Sequence, residues 1–201
     1  MPTLLRIDSS SRLADSISRG FADEVEARWL ARHPDGEVVG RDLVVAPIPH
    51  IADSTIRGFY AASLDAELTA ATALSDELIG EFLGADAVLL SLPMYNFSIP
   101  SALKAYIDHI VRANRTFGVR EGGQLVGLVE DRPLYLVVAK GAPYTGTDFE
   151  AMDFTERYLL GLFSFLGVSS TQVFRIEGTT IAPEVMASSL ASARAELVEI
   201  T

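Results

Sequence analysis

The chain reads as a doubly wound α/β fold, an open five-stranded parallel sheet with helices on both faces. Three observations predict it. Five short strand-like runs alternate with helix-length segments, the pattern that parallel crossovers produce. Three of those runs, Thr3 to Ile7, Ala87 to Leu92 and Leu134 to Lys140, are nearly continuous in apolar residues, as strands covered on both faces are. At 201 residues with 49% hydrophobic content, the chain is long enough for one sizeable core and short for two, so residues 1 to 201 are expected to form a single domain.

The elements follow in order. The strand Thr3 to Ile7 leads through a hydroxyl-rich loop, Asp8 to Ser18, into a helix over Ser16 to Ala31 that Ser16 can cap. A strand over Glu37 to Leu43, a short helix near Ser54 to Ala62 and a long helix over Leu64 to Leu83 come next. The buried strand Ala87 to Leu92 runs straight into a Pro-Met-Tyr-Asn-Phe loop and then an amphipathic helix from Ser101 to Asn114. Gly118, Gly122, Gly123 and Gly127 mark an excursion or small hairpin between Phe117 and Val129. After the strand Leu134 to Lys140, the acidic run Asp148 to Asp153 sits where carboxylates favour the dipole of a helix over Phe154 to Leu166, which Gly167 can end. The last strand spans Thr171 to Ile176, and Pro183 fits the first turn of a helix to Glu199. No repeat, low-complexity tract or linker interrupts this order.

Composition removes several functions. The formal charge of -11 disfavours nucleic acid, which needs a basic face. Zero cysteines exclude disulfides, thiolate metal sites and cysteine nucleophiles, including that of a low-molecular-weight phosphatase, and fit a reducing, cytoplasmic setting. The longest uncharged stretch, Ala87 to Leu103, contains Pro93, Asn96 and Pro100 and is too short for a membrane helix. The strand-like run from Thr3 is not preceded by a basic region and a long apolar core, so no signal peptide is expected. His33, His50 and His109 are scattered without metal-ligand spacing, so no metal is expected. No G-x-G-x-x-G follows the first strand, and neither a P-loop nor a G-x-S-x-G elbow is present.

Three loops after strands remain as candidates, where open parallel sheets bind ligands. Ser9, Ser10, Ser16 and Ser18 surround a helix start, whose free amides and positive dipole end can hold a phosphate, with Arg12 adding a charge; serine-rich turns are also ordinary caps. Met94, Tyr95, Asn96 and Phe97 offer two aromatics and an amide to a flat, polar-edged ring such as flavin, although either aromatic alone reads equally as core. Ala139 to Tyr144, AKGAPY, brings Gly141 for close backbone approach and Lys140 or Tyr144 as donors.

Together SSSRLADSIS, PMYNFSIPSALKAYIDHIVRANRTF, AKGAPY and RIEGTTIAPEV resemble the FMN-dependent NADH:quinone oxidoreductases, also called azoreductases, over almost the whole chain. The resemblance implies a flavodoxin-like sheet of order 2-1-3-4-5 and a homodimer with FMN at its interface. It assigns the FMN phosphate to Ser10, Ser16, Ile17 and Ser18, and the ribityl and isoalloxazine to Met94, Tyr95, Asn96 and Phe97. The family often has Ser-Arg-Gly-Gly-x-His where this chain has Ala139, Lys140, Gly141, Ala142, Pro143 and Tyr144. Pro143 removes a donor, and Tyr144 can donate where the family's histidine would, without titrating near neutral pH.

The activity so implied is two-electron transfer in ping-pong order from NADH or NADPH to quinones, and to azo compounds, with the flavin carrying the chemistry and no side chain acting as nucleophile. Lys140, Gly141 and Tyr144 are expected beside the ring's polar edge, and Phe97, Phe117 and Phe163 are candidate walls of a substrate slot, Phe163 from either subunit, with Phe117 and Phe163 reading equally as core. The apolar run Tyr158 to Val168 offers surface for the dimer. Two neighbouring readings share fold and cofactor: an NADPH-dependent FMN or chromate reductase, and a flavodoxin-type electron carrier.

Overall fold

A computed structural model describes residues 1–200. Five strands form one parallel sheet: β1 (Thr3–Asp8), β2 (Glu37–Asp42), β3 (Ala87–Pro93), β6 (Leu134–Ala139) and β7 (Thr171–Ile176), in the order β2-β1-β3-β6-β7. Numbered without the small hairpin, this is the expected 2-1-3-4-5. The hairpin is β4 (Phe117–Val119) paired antiparallel with β5 (Leu125–Gly127).

Alternation along the strands explains their unbroken apolar character. Leu4, Leu89 and Val137 face α1 (Ile17–Arg32) and α6 (Pro183–Glu196), in a core with Phe21, Trp29 and Phe174. Leu5, Val88, Leu90, Leu136 and Val138 face the other side, where α3 (Ala66–Gly84), α4 (Ser101–Ile110) and α5 (Phe154–Leu166) supply Phe82, Tyr106 and Phe163. Each of the three central strands, β1, β3 and β6, thus feeds two cores, and its leucine, isoleucine and valine side chains leave water. The short helix α2 (Asp53–Tyr60) packs on α3. Among the described residues no helix is long and apolar enough to cross a membrane.

Expected caps are present. Ser16 Oγ accepts the Arg19 amide, Pro183 opens α6, and Gly167 ends α5 at φ 116°. One boundary moves: the helix expected to reach Asn114 stops at Ile110. Thr116 ends it by donating its hydroxyl to Ile110 O at 2.6 Å and accepting the Arg112 amide at 3.0 Å, while Asn114 turns left-handed at φ 61°. A threonine six residues beyond the helix competes for its last carbonyl, a contact that hydrophobic periodicity does not register.

Candidate functional site

At the carboxyl edge of the sheet, the loops after β1, β3, β6 and β7 converge on a cleft of about 250 Å³. Ser10, Arg12, Ser16, Ile17 and Ser18 come from the first loop, Pro93, Met94 and Tyr95 from the second, Ala139 and Gly141 from the third, and Thr179 and Thr180 from the fourth.

The first wall is a helix start lined with hydroxyls. Asp15 takes φ 54° to turn the chain into α1, and the first-turn amides of Ile17 and Ser18 have no intrahelical acceptor. Ser16 Oγ lies 3.3 Å from Ser18 Oγ, and Ser10 Oγ accepts the Arg12 amide at 3.3 Å. Ser9 donates to Ser91 O at 3.1 Å and Tyr95 OH meets Ser11 Oγ at 2.5 Å, which ties this loop to β3 and its turn. The Arg19 guanidinium, which donates to Ser10 O, is neutralised by Asp42 and holds that carboxyl at about 2. Arg12 is exposed and, among the described residues, has no ion-pair partner. A dianion at the helix start would therefore meet amides, hydroxyls and one free cation.

The second wall is a tight two-residue turn. Tyr95 and Ser98 exchange backbone hydrogen bonds of 2.9 and 3.1 Å around Asn96 at φ 47° and Phe97 at φ 71°. Positive φ at both central positions is the geometry of a primed hairpin turn, unusual without glycine. Asn96 and Phe97 are exposed at the tip, one and two residues beyond the lining Tyr95.

The third wall departs from expectation. Leu136 and Val138 point to the α5 side of the sheet, and two residues on Lys140 does too. Its ammonium is buried 2.6 Å from Asp153, 2.7 Å from Glu156 and 3.1 Å from Glu177. Burial alone would lower its pKa, but the carboxylates of Asp153 and Glu156 outweigh this and raise it. The Lys140 side chain is thus not a donor to the cleft, and Tyr144, whose ring lies 5.9 Å from that ammonium, lines the neighbouring depression and not the cleft. What the turn offers instead is main chain: among the described residues no acceptor meets the Gly141 and Ala142 amides. A Cβ on Gly141 would come within 3.2 Å of Thr180 Oγ1, so glycine keeps that approach open.

The remaining slot walls are not brought here. Phe163 is 1% exposed in the core, its ring 6.0 Å from Phe82, and so is closed to a partner subunit as well. Phe117 packs on Phe165 at 5.4 Å, in a hairpin that leans on the last turn of α5 through the Val129 amide and Leu166 O. That is the amino edge of the sheet, because α4 carries the chain there before β6 begins. Of the proposed slot walls only Phe97 stands at the cleft within one chain.

Sequence reasoning passed over Thr179, Thr180 and Glu177. The signal was present in RIEGTT, hydroxyls directly after the last strand, with Gly178 at φ 76° making the turn. Beside the cleft lies a larger depression of about 630 Å³ lined by Lys140, Asp148, Glu150, Asp153 and Glu156. Its helix start is already occupied, since Asp153 accepts the Thr155 and Glu156 amides, and its cations Lys140 and Arg175 are already paired with carboxylates, although Arg157 also lines it. The smaller cleft, with its open amides at a helix start, fits an anion better. Among the described residues no group of three or more acidic, histidine or cysteine side chains could hold a metal ion.

Comparison with known proteins identifies the family. The flavodoxin-like fold family model matches residues 2–200. An FMN-dependent NADH:quinone oxidoreductase of Xanthobacter autotrophicus is 46% identical over 177 residues, 86% of this chain and 85% of the relative. The crystal structure of an azoreductase from Bacillus anthracis superposes with a TM-score of 0.88 at 27% identity, covering 99% of this chain and 100% of that one. An FMN-dependent NADH-azoreductase from the same species, solved in complex with FMN, gives a TM-score of 0.82 at 25% identity over 99% of each chain. The chain therefore belongs to the flavodoxin-like fold family and, within it, to the FMN-dependent NADH:quinone oxidoreductases.

Proposed function

We propose that this chain is a single-domain, cytoplasmic flavoenzyme that holds FMN in the 250 Å³ cleft and passes two electrons from NADH or NADPH to quinones, and to azo compounds, in ping-pong order. The observation that carries the reading is the convergence of two sets of open amides on one cleft: those of Ile17 and Ser18 in the first turn of α1, flanked by the Ser16 and Ser18 hydroxyls, and those of Gly141 and Ala142. The first set suits a terminal phosphate, and the second suits the polar edge of a ring.

Bound there, FMN supplies hydride acceptance and return. The protein's part is binding and orientation. Ser10, Ser16, Ile17 and Ser18 hold the phosphate end, with Arg12 as the nearby cation. Met94 and Tyr95 pack against the ring, and Asn96 and Phe97 form the rim over which donor and acceptor enter in turn. The Gly141 and Ala142 amides stabilise negative charge at the ring edge, and no side chain has to move a covalent bond.

A homodimer is part of the same reading. The helix proposed for its interface turns its apolar residues largely inward, with Leu159, Phe163 and Leu166 buried. Support comes instead from exposed side chains near the cleft: Phe97, Phe149, Met152 and Phe154. The test is a titration with FMN and with FAD, followed by NADH addition under visible light spectroscopy. One FMN per chain, weaker FAD binding, bleaching by NADH and recovery on quinone addition are expected. Light scattering is expected to give twice the 21.7 kDa chain mass. No FMN binding, or an FMN-loaded protein that NADH does not bleach, overturns the reading.

A further inference from the structure

Lys140 is one of only two lysines in the chain, and its side chain is 1% exposed. A buried ammonium stays charged only where carboxylates replace its water, and here three do. Two of the three have a second task. Asp153 caps α5, and the next amide, Phe154 N, donates to Phe97 O at 3.0 Å. Glu177, 5% exposed, accepts the Tyr144 amide at 2.9 Å, the Thr145 amide at 3.2 Å and the Thr145 hydroxyl at 2.9 Å. The turn after β3 and the loop after β6 therefore hang on one nitrogen atom.

We propose that Lys140 is a positioning residue: through Asp153 and Glu177 its ammonium fixes the Asn96–Phe97 turn against the Gly141–Gly146 loop, and so sets the spacing of the two walls that face the flavin ring. Removing the charge leaves three carboxylates a few ångströms apart with, among the described residues, Arg175 as their only other paired cation, bound to Glu156. They repel, and the backbone groups they hold are released. The junction exists in the protein without cofactor; its consequence for the ring rests on the proposed FMN binding.

Hydrogen exchange on the FMN-free protein tests the junction, and FMN titration with a midpoint-potential measurement tests its consequence. In Lys140→Met the amides of Tyr144, Thr145 and Phe154 should exchange faster by about tenfold or more. FMN should bind about tenfold more weakly, and the flavin's potential should fall because net negative charge is left beside it. Lys140→Arg, which keeps the charge, should restore all three. Glu177→Gln covers the case in which Lys140→Met does not fold: it should loosen Tyr144 and Thr145 while Phe154 stays protected. Wild-type exchange at these amides in the variants overturns the proposal, as do loosened amides with unchanged FMN affinity and potential. A wild-type protein that binds no FMN sinks the functional reading, and the exchange data then still decide the junction.

Discussion

The loop after β1 and the loop after β6 flank the same cleft and are built in opposite ways. In the first, the groups that would meet a phosphate lie within nine residues of one another, Ser10 to Ser18, and a helix start organises them. In the second, the chain from Gly141 to Gly146 has local bonds only at its far end, where the Thr147 amide and hydroxyl donate to Tyr144 O and the Gly146 amide donates to Glu150. The rest of its shape comes from a buried lysine whose partners are 13, 16 and 37 residues away, and from Glu177 reaching across from the turn after the next strand. A site made of main-chain donors can be held either by local capping or by long-range charge, and the two supports should fail under different perturbations.

The largest difference should appear on deleting a support outright. Glu177→Ala removes one of Lys140's carboxylates and leaves the Tyr144 and Thr145 amides without an acceptor. Breaking a buried ion pair from one side costs roughly 3 to 5 kcal/mol. The lower end applies, because Asp153 and Glu156 remain, and about 3 kcal/mol corresponds to a fall in Tm of roughly 6 to 12 °C for a chain of this size. Calorimetry of the cofactor-free protein checks it, and a loss under 1 °C would mean the second loop is as locally supported as the first.

The same contrast decides how much of the site was legible in the sequence. Hydrophobic continuity marked the three central strands and their burial on two faces, alternation with helix-length segments marked the two edge strands, and Ser16, Gly167 and Pro183 marked helix ends through chemistry that acts within one turn. The phosphate end of the cleft was readable for that reason, as hydroxyls followed by a helix. Lys140 was misplaced because its role depends on strand parity and on carboxylates from α5 and the turn after β7, none adjacent in the chain. Phe163 and Phe117 were read as slot walls because an aromatic's direction depends on which edge of the sheet its element reaches. Thr116 stopping α4 is a failure of the same kind on a smaller scale.

Ser16→Ala probes the local support. It removes a cap and one phosphate donor, so FMN affinity should fall by about 1 to 3 kcal/mol. The contact is equal in ground and transition states, so turnover at saturating FMN should hardly change. Isothermal titration beside steady-state NADH oxidation separates the two, and a drop in saturated turnover with unchanged affinity would contradict the assignment of this loop to the phosphate.

Alkali, and not acid, distinguishes the two supports. Asp42, held at about 2 by the Arg19 guanidinium, has a folded pKa below its ordinary 3.8. The stability it contributes is complete above about pH 4 and is lost as the pH falls towards 2. Glu177 behaves alike: burial raises its pKa, but the Tyr144 amide, the Thr145 hydroxyl and Lys140 together bring it below the ordinary value. Lys140 has no counterpart in the first loop. Its folded pKa is raised, so its contribution is complete below 10.5 and is lost as the pH rises through the folded value. Between about pH 9 and 11.5 the wild-type Tm should therefore fall by a few degrees more than that of Lys140→Arg, whose guanidinium does not titrate there. Parallel curves would show that the lysine charge is not what holds the second loop.

The smallest expected change sharpens the comparison most, because it asks whether any side chain at the rim matters. Asn96 holds φ 47° with its side chain exposed and, among the described residues, without a protein partner. Asn96→Ala would add left-handed strain, since alanine lacks asparagine's tolerance of that region. Asn96→Gly avoids this: relief of the remaining strain is offset by the greater freedom of glycine in the unfolded chain, so stability should change by less than about 0.5 kcal/mol. Any loss of function then reports the amide group alone. If that amide addresses the polar edge of the ring, FMN affinity and the rate of reduction by NADH should each fall by about two- to fivefold, less than one hydrogen bond's full worth because water can replace an exposed partner. Stopped-flow reduction with the FMN-saturated variant, beside a titration, measures both. If Asn96→Gly matches the wild type in each, the turn after β3 acts only through its backbone, and the ring would then be gripped by main chain on every side, with the loops differing only in what holds that main chain still.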